Sequence, residues 1–174
     1  SAAVAGFGMM IKNAIDTADE YYKLSQQIGL TTESISTMAF SVKLSGMTME
    51  DFSTSMLRFN RYLAETGKTS KSVEENLLDF ADQFANTETG AKKTALAMEA
   101  FGRSGAKMIP FLNQGAEGIQ KMQEQARELG LEIDTNTAIA AERLNDSIEA
   151  FKLQMEGVAT STLPYVIGIL QELV

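Results

Sequence analysis

Apolar residues recur every three or four positions along most of the chain, and no stretch alternates apolar with polar residues as a half-buried strand does. The pattern predicts an all-α protein. In its central part four apolar faces stand out: Ile35, Met38, Ala39 and Val42; Phe52, Met56, Phe59 and Leu63; Val73, Leu77, Phe80 and Phe84; and Ile119, Met122, Ala126 and Leu129. Each is short, as expected of a set of amphipathic helices packed together. The two ends differ. Val4, Phe7, Ile11, Ala14, Ala18, Tyr21, Ser25 and Ile28 keep spacings of three and four over a long stretch, as do Ala141, Leu144, Ile148, Phe151, Met155 and Val158. A sustained period of about 3.5 residues marks long, heptad-patterned helices that lie alongside partners. The seam residues Val4, Phe7, Ile11, Leu144, Ile148, Phe151 and Met155 are therefore candidates for helix packing. Two arrangements fit: the seams pack on each other within one chain, or they pack between subunits.

Glycine sets the expected boundaries. Gly29-Leu30-Thr31, Gly46-Met47-Thr48 and Gly130-Leu131 leading to Asp134 share one chemistry. A glycine just past a helix takes the left-handed conformation, the apolar residue after it packs back on the last turn, and a Thr or Asp caps the next helix. Gly29, Gly46, Gly102, Gly105 and Gly130 are thus expected as helix stops or hinges. Thr48 with Asp51, and Ser72 with Glu75, have the spacing of capping boxes. The expected organisation is a single helical segment: a long helix over 1–29, a bundle of short helices over 30–133, and a last helix over 134–174 kinked or broken near Pro164. The opening run Ala2 to Ile11 is apolar but ends at Lys12, too short for a bilayer span and without the basic region of a signal peptide, so it is expected to begin a buried helix. The chain begins at Ser1 and ends within an apolar helical pattern, as expected of an internal piece of a longer protein.

Composition narrows the chemistry. Of 174 residues, 44% are hydrophobic and 22% charged, which favours a folded domain over disorder. The net charge of −8 argues against stable binding of nucleic acid across the surface. With no Cys and no His, thiolate metal sites, cysteine nucleophiles and the commonest general base are absent, and no enzyme activity, cofactor or metal is expected. Asp79 with Asp82, and Asp16, Asp19 and Glu20, read as solvated helix faces. Asp134-Thr135-Asn136-Thr137 opens like a calcium loop but lacks the later glycine and glutamate, so it reads as a helix cap. Gly102-Arg103-Ser104-Gly105 could present amides to a phosphate, but the phosphate-loop pattern is missing and a flexible corner is the plainer expectation. The ten methionines are assigned to the core, and Gln114, Gln120, Gln123 and Gln125 to a polar face.

Two blocks carry a family resemblance. Gln27 to Ile35, followed by Leu44 to Phe52, resembles a passage of the tail tape measure proteins of long-tailed phages and prophages. Ala97 to Gly105 followed by Met108 to Gly115, with Pro110 between Ile109 and Phe111, resembles that family's stretch rich in Phe-Gly and Pro, and Ile119 to Leu131 continues it. The resemblance spans about residues 18–164. It implies a virion structural protein in the lumen of the tail tube, made in the bacterial cytoplasm, which sets tail length during assembly and takes part in DNA ejection. Its implied partners are other copies of itself, the tail tube protein, tail assembly chaperones and tail tip proteins. Membrane-active or peptidoglycan-cleaving parts occur elsewhere in such chains, and nothing here matches the catalytic ones.

Fully extended as helix, 174 residues would span roughly 260 Å, but the glycine stops interrupt any single rod. The segment is then either a folded node in an extended protein or a set of helices that open at Gly29, Gly46 and Gly130. The rival from another class is a membrane-perturbing helical module, an ejection pore or toxin-like segment, in which the apolar start and the Met-rich helices enter lipid. A muralytic enzyme ranks third, because no acid and nucleophile are paired by spacing.

Overall fold

A computed structural model describes residues 2–172, apart from the side chains of residues 2–4, 165–166 and 168–172. Eight α-helices follow one another among these residues: α1 (Ala2–Ile28), α2 (Thr32–Leu44), α3 (Met49–Glu65), α4 (Val73–Ala85), α5 (Ala91–Phe101), α6 (Gly105–Leu112), α7 (Gly115–Glu128) and α8 (Thr135–Glu172), with a 3₁₀ turn at Gly102–Ser104. The class is all-α, and α1 and α8 are the two longest helices.

Helix starts follow local side chains. Thr31, Thr48 and Ser72 accept the amides of Ser34, Asp51 and Glu75 and so satisfy donors that a first turn leaves orphaned. Ser72 and Glu75 close a full capping box. The expected box at Thr48 is only half made, because the Asp51 carboxylate turns to Lys107 Nζ at 2.7 Å, an ion pair between α3 and α6. Asp134 accepts the Thr137 amide at 3.0 Å and caps α8 as expected. Helix ends close on glycine: after α2, Gly46 (φ +77°) lets the amide of Met47 reach back to the carbonyl of Val42. Gly29, Gly102 and Gly130 also have positive φ.

Gly105 differs from the expected stop. Its φ is −56°, it begins α6, and an added Cβ would lie 2.2 Å from the Ala97 carbonyl oxygen of α5. It is a close backbone approach, so the corner at 102–105 is a tight packing contact and not a flexible joint. α8 is not broken at Pro164, since it remains helical through it to Glu172. Proline removes one amide and crowds the preceding turn, yet the helix runs on either side of it. The Thr162 hydroxyl just before it bonds back to the carbonyls of Val158 and Ala159.

The core lies between α2–α7. Phe59 stacks on Phe101 with ring centroids 4.9 Å apart, and Phe80 meets both edge-on. Phe52, Phe84, Phe111, Ile35, Met38, Met56, Leu77 and Met108 are all fully buried around them. The α7 face is revised: Leu129 is exposed and Gln123 is buried in the inward stripe. Its amide donates to Glu74 Oε1 at 3.1 Å and to the Thr37 hydroxyl at 3.4 Å, while Ser34 also donates to Glu74. Gln114 bonds Ser41 and Ser45 of α2. Two of the four glutamines thus tie α7 and the turn before it to α2 and α4. Lys93 is buried too. Its ammonium donates to Asn113 Oδ1 at 2.6 Å and lies 5.0 Å from the centre of the Phe84 ring.

Candidate interaction surface

α1 and α8 run side by side, and α8 packs on α1 far more than on any other element. Because α1 enters the core at its C-terminal end and α8 leaves from its N-terminal end, the pair is antiparallel. Its inner half is closed. Ala18, Ala138 and Ala141 are buried against one another, with Ile15, Tyr22 and Ile133 around them. Small side chains let the two backbones approach, and Asp19 fixes the register: its buried carboxylate accepts at Oδ2 from Asn145 Nδ2 at 2.9 Å and from Lys23 Nζ at 3.0 Å. Burial works against ionising Asp19, but the Asn145 and Lys23 hydrogen bonds and the charge of Lys23 outweigh it and hold the carboxyl below its ordinary value.

The start of α8 is clamped to α2. Glu33 Oε1 accepts the Thr135 amide at 2.6 Å, Glu33 Oε2 accepts the Thr135 hydroxyl at 3.0 Å, and the Ser36 hydroxyl accepts the Ile133 amide at 2.9 Å. A carboxylate at a helix N-terminus satisfies an orphan amide and meets the positive end of the helix dipole. For Glu33, burial again opposes ionisation, while hydrogen bonds from its own amide, from Thr135 and from Thr31 prevail and lower its pKa.

The outer half is open. Phe7, Met9, Met10 and Ile11 on α1, and Leu144, Ile148, Phe151, Leu153, Met155, Val158, Leu163 and Ile167 on α8, are 43–70% exposed. From Ala5 to Ile11 the opening run is exposed and not buried in this chain. Of the candidate seam residues, Ile11 and Ile148 line one groove of about 500 Å³ with Gly8, Ile15 and the stems of Lys12 and Lys152. Phe7, Leu144, Phe151 and Met155 remain largely uncovered, and the Val4 side chain lies outside the described residues. Residues 5–16 and 144–167 carry only Lys12 and Lys152 against Asp16, Asp146, Glu149 and Glu156, a net −2 of the chain's −8. Charge does little to oppose contact there.

The acidic pairs noted in the sequence are spread over ion pairs: Asp16 meets Lys12, and Asp79 meets Lys71. Among the described residues no three carboxylates converge as a metal site would need. No helix among them is long and apolar enough to cross a membrane. Sequence reasoning did not single out Glu33, Asn145 or the α2 hydroxyls, which carry no local pattern, since their partners lie up to 126 positions away. No protein family, curated protein or solved structure matched the chain.

Proposed function

We propose that this chain is a non-catalytic structural segment of a phage-type tail, belonging to a tape measure protein that sets tail tube length and takes part in DNA ejection, and that it works through helix packing. The single observation that carries the packing role is the uncovered apolar stripe on the outer halves of α1 and α8. A soluble fold rarely leaves contiguous apolar surface of this kind unless something covers it. Taking each helix as about 10 Å across and 1.5 Å per residue, the stripe over 5–16 and 144–167 covers roughly 540 Å². That approaches the ~800 Å² per partner of a stable interface. Its occupant in this reading is another copy of the chain, the two antiparallel pairs forming a four-helix contact. The tail assignment itself rests on the resemblance of the Gln27–Phe52 and Ala97–Leu131 blocks to tape measure proteins.

The folded body fits a node in an extended parent protein. Two of its glycine corners are packed, Gly105 against the Ala97 backbone and Gly29 close to Val73, whereas Gly46 and Gly130 have open space around them. Sedimentation of the segment at tens of micromolar is expected to give a dimer or higher oligomer, and Phe151→Glu with Met155→Glu to give a monomer that keeps its helical content but melts without the concentration dependence of the wild type. A monomeric wild type would remove the packing role. Leakage of anionic vesicles at micromolar protein would instead favour the membrane-perturbing alternative. For the tail assignment, deletion of the segment in frame from its parent is expected to alter tails seen by electron microscopy. Shortening in proportion to the residues removed marks a ruler, failed assembly at normal length marks a node, and normal infectious tails would overturn the assignment.

A further inference from the structure

Away from the α1/α8 surface, two arginines line one cavity at the corner where α5 turns into α6. A cavity of about 540 Å³ there is lined by Thr54 and Arg58 of α3 and by Gly102, Arg103 and Ser104 of the 3₁₀ turn. Every side-chain group lining it that carries charge is a cation, in a chain with 23 acidic residues and only 15 basic ones. Among the described residues no carboxylate oxygen lies within 4.0 Å of either guanidinium, although seven other basic side chains make such pairs. On α3, Asp51, three positions before Thr54, is held by Lys107.

The cavity is built on fixed backbone. Gly102 has φ +71°, and the methylene stem of Arg58 crosses it, with Cγ and Cδ 3.6 Å from where a Cβ would stand. Three residues on, Gly105 locks α6 against the Ala97 carbonyl. Arg58 and Arg103 are thereby presented from two elements whose separation is set by packing. The Ser104 hydroxyl makes no capping bond to α6, which leaves it free to bond a ligand, and the N-terminal end of α6 adds partial positive charge.

We propose that Arg58 and Arg103, with the Ser104 and Thr54 hydroxyls, bind a phosphate dianion, free or as a phosphomonoester. Two guanidinium forks match the charge of a dianion and offer paired N–H donors to its oxygens, whereas a carboxylate would neutralise only one. The site is too small and the rest of the surface too acidic for a nucleic-acid duplex to be held along its length.

The test titrates the 174-residue chain with inorganic phosphate at pH 7.5 and constant ionic strength, read by calorimetry and by the arginine Nε–H signals. Saturable one-site binding below about 10 mM is expected, with Nε–H shifts confined to Arg58 and Arg103, and about tenfold weaker binding in Arg58→Gln and in Arg103→Gln. Arg103→Lys keeps the charge but loses the fork and is expected to fall between. Both arginines are exposed, so melting curves should not move. A 5′-mononucleotide binding more tightly than phosphate would assign the site to an ester, and equal binding to the free ion; either supports it. Absence of saturation, binding unchanged in the Arg58→Gln, Arg103→Gln double variant, or equal competition by acetate would overturn the proposal. So would a dependence on the arginine pair seen only with duplex DNA.

Discussion

Gly105 and Gly46 separate two reasons for glycine. At Gly105 the backbone of α5 fills the space a side chain would take, so Gly105→Ala forces α6 away from Ala97 and is expected to cost about 3 kcal/mol or more. At Gly46 nothing lies within 4 Å and only the positive φ matters, so Gly46→Ala should cost about 1–2 kcal/mol. Urea denaturation of the two variants checks the order. Glu33 makes a pH prediction. Its carboxyl is held below the ordinary 4.5 in the fold, so its contribution is complete above that value and is lost as pH falls through the folded pKa. The stability difference between wild type and Glu33→Gln is expected to be about 1 kcal/mol at pH 7 and to be smaller at a pH below the folded pKa. An equal difference at both pH values would mean that the clamp on α8 does not depend on charge.

At the level of elements, the caps are unequal. Ser72 and Glu75 satisfy each other's backbone donors, whereas Thr48 works without the return bond from Asp51. Ser72→Ala should therefore cost about 1 kcal/mol and exceed the loss from Thr48→Ala, as measured by thermal unfolding. The apolar faces of α3 and α4 were legible in the sequence because each of these helices buries mainly one stripe, and the spacing of Phe52, Met56, Phe59 and Leu63 marks that stripe directly, whereas α2 is buried nearly all round, Ser34 to Ala39 included. The face of α7 was not legible. α7 packs on both α2 and α4, and the polar groups of Thr37 and Glu74 turn its inward position over to Gln123 while Leu129 falls outside.

For the whole molecule, stability should be uneven. The body between α2 and α7 holds the aromatic cluster, whereas α8 beyond Asn145 has α1 as its main neighbour. Amides of α8 beyond residue 150 are expected to exchange with solvent orders of magnitude faster than those of α3, and to slow on self-association. Protection of outer α8 equal to that of α3 in dilute monomer would contradict this. The same unevenness gives the two ends different tasks in the proposed tail: a body that keeps its shape and a pair of helices that seeks partners.

The sequence alone determined the all-helical class and several helix limits, because caps, glycine stops and the 3.6-residue period act within a few positions of one another. It also marked Phe7, Ile11, Leu144, Ile148, Phe151 and Met155 as one kind of surface. Periodicity identifies a face and not what covers it. Only the tertiary structure decided that Ala18, Ala138 and Ala141 close the inner half of the seam while those six residues stay open, since that depends on where Glu33, Ser36 and Asn145 pin α8. That Arg58 and Arg103 line one cavity was likewise invisible in one dimension: 45 positions apart, they are joined by two glycines whose roles are set by neighbouring elements.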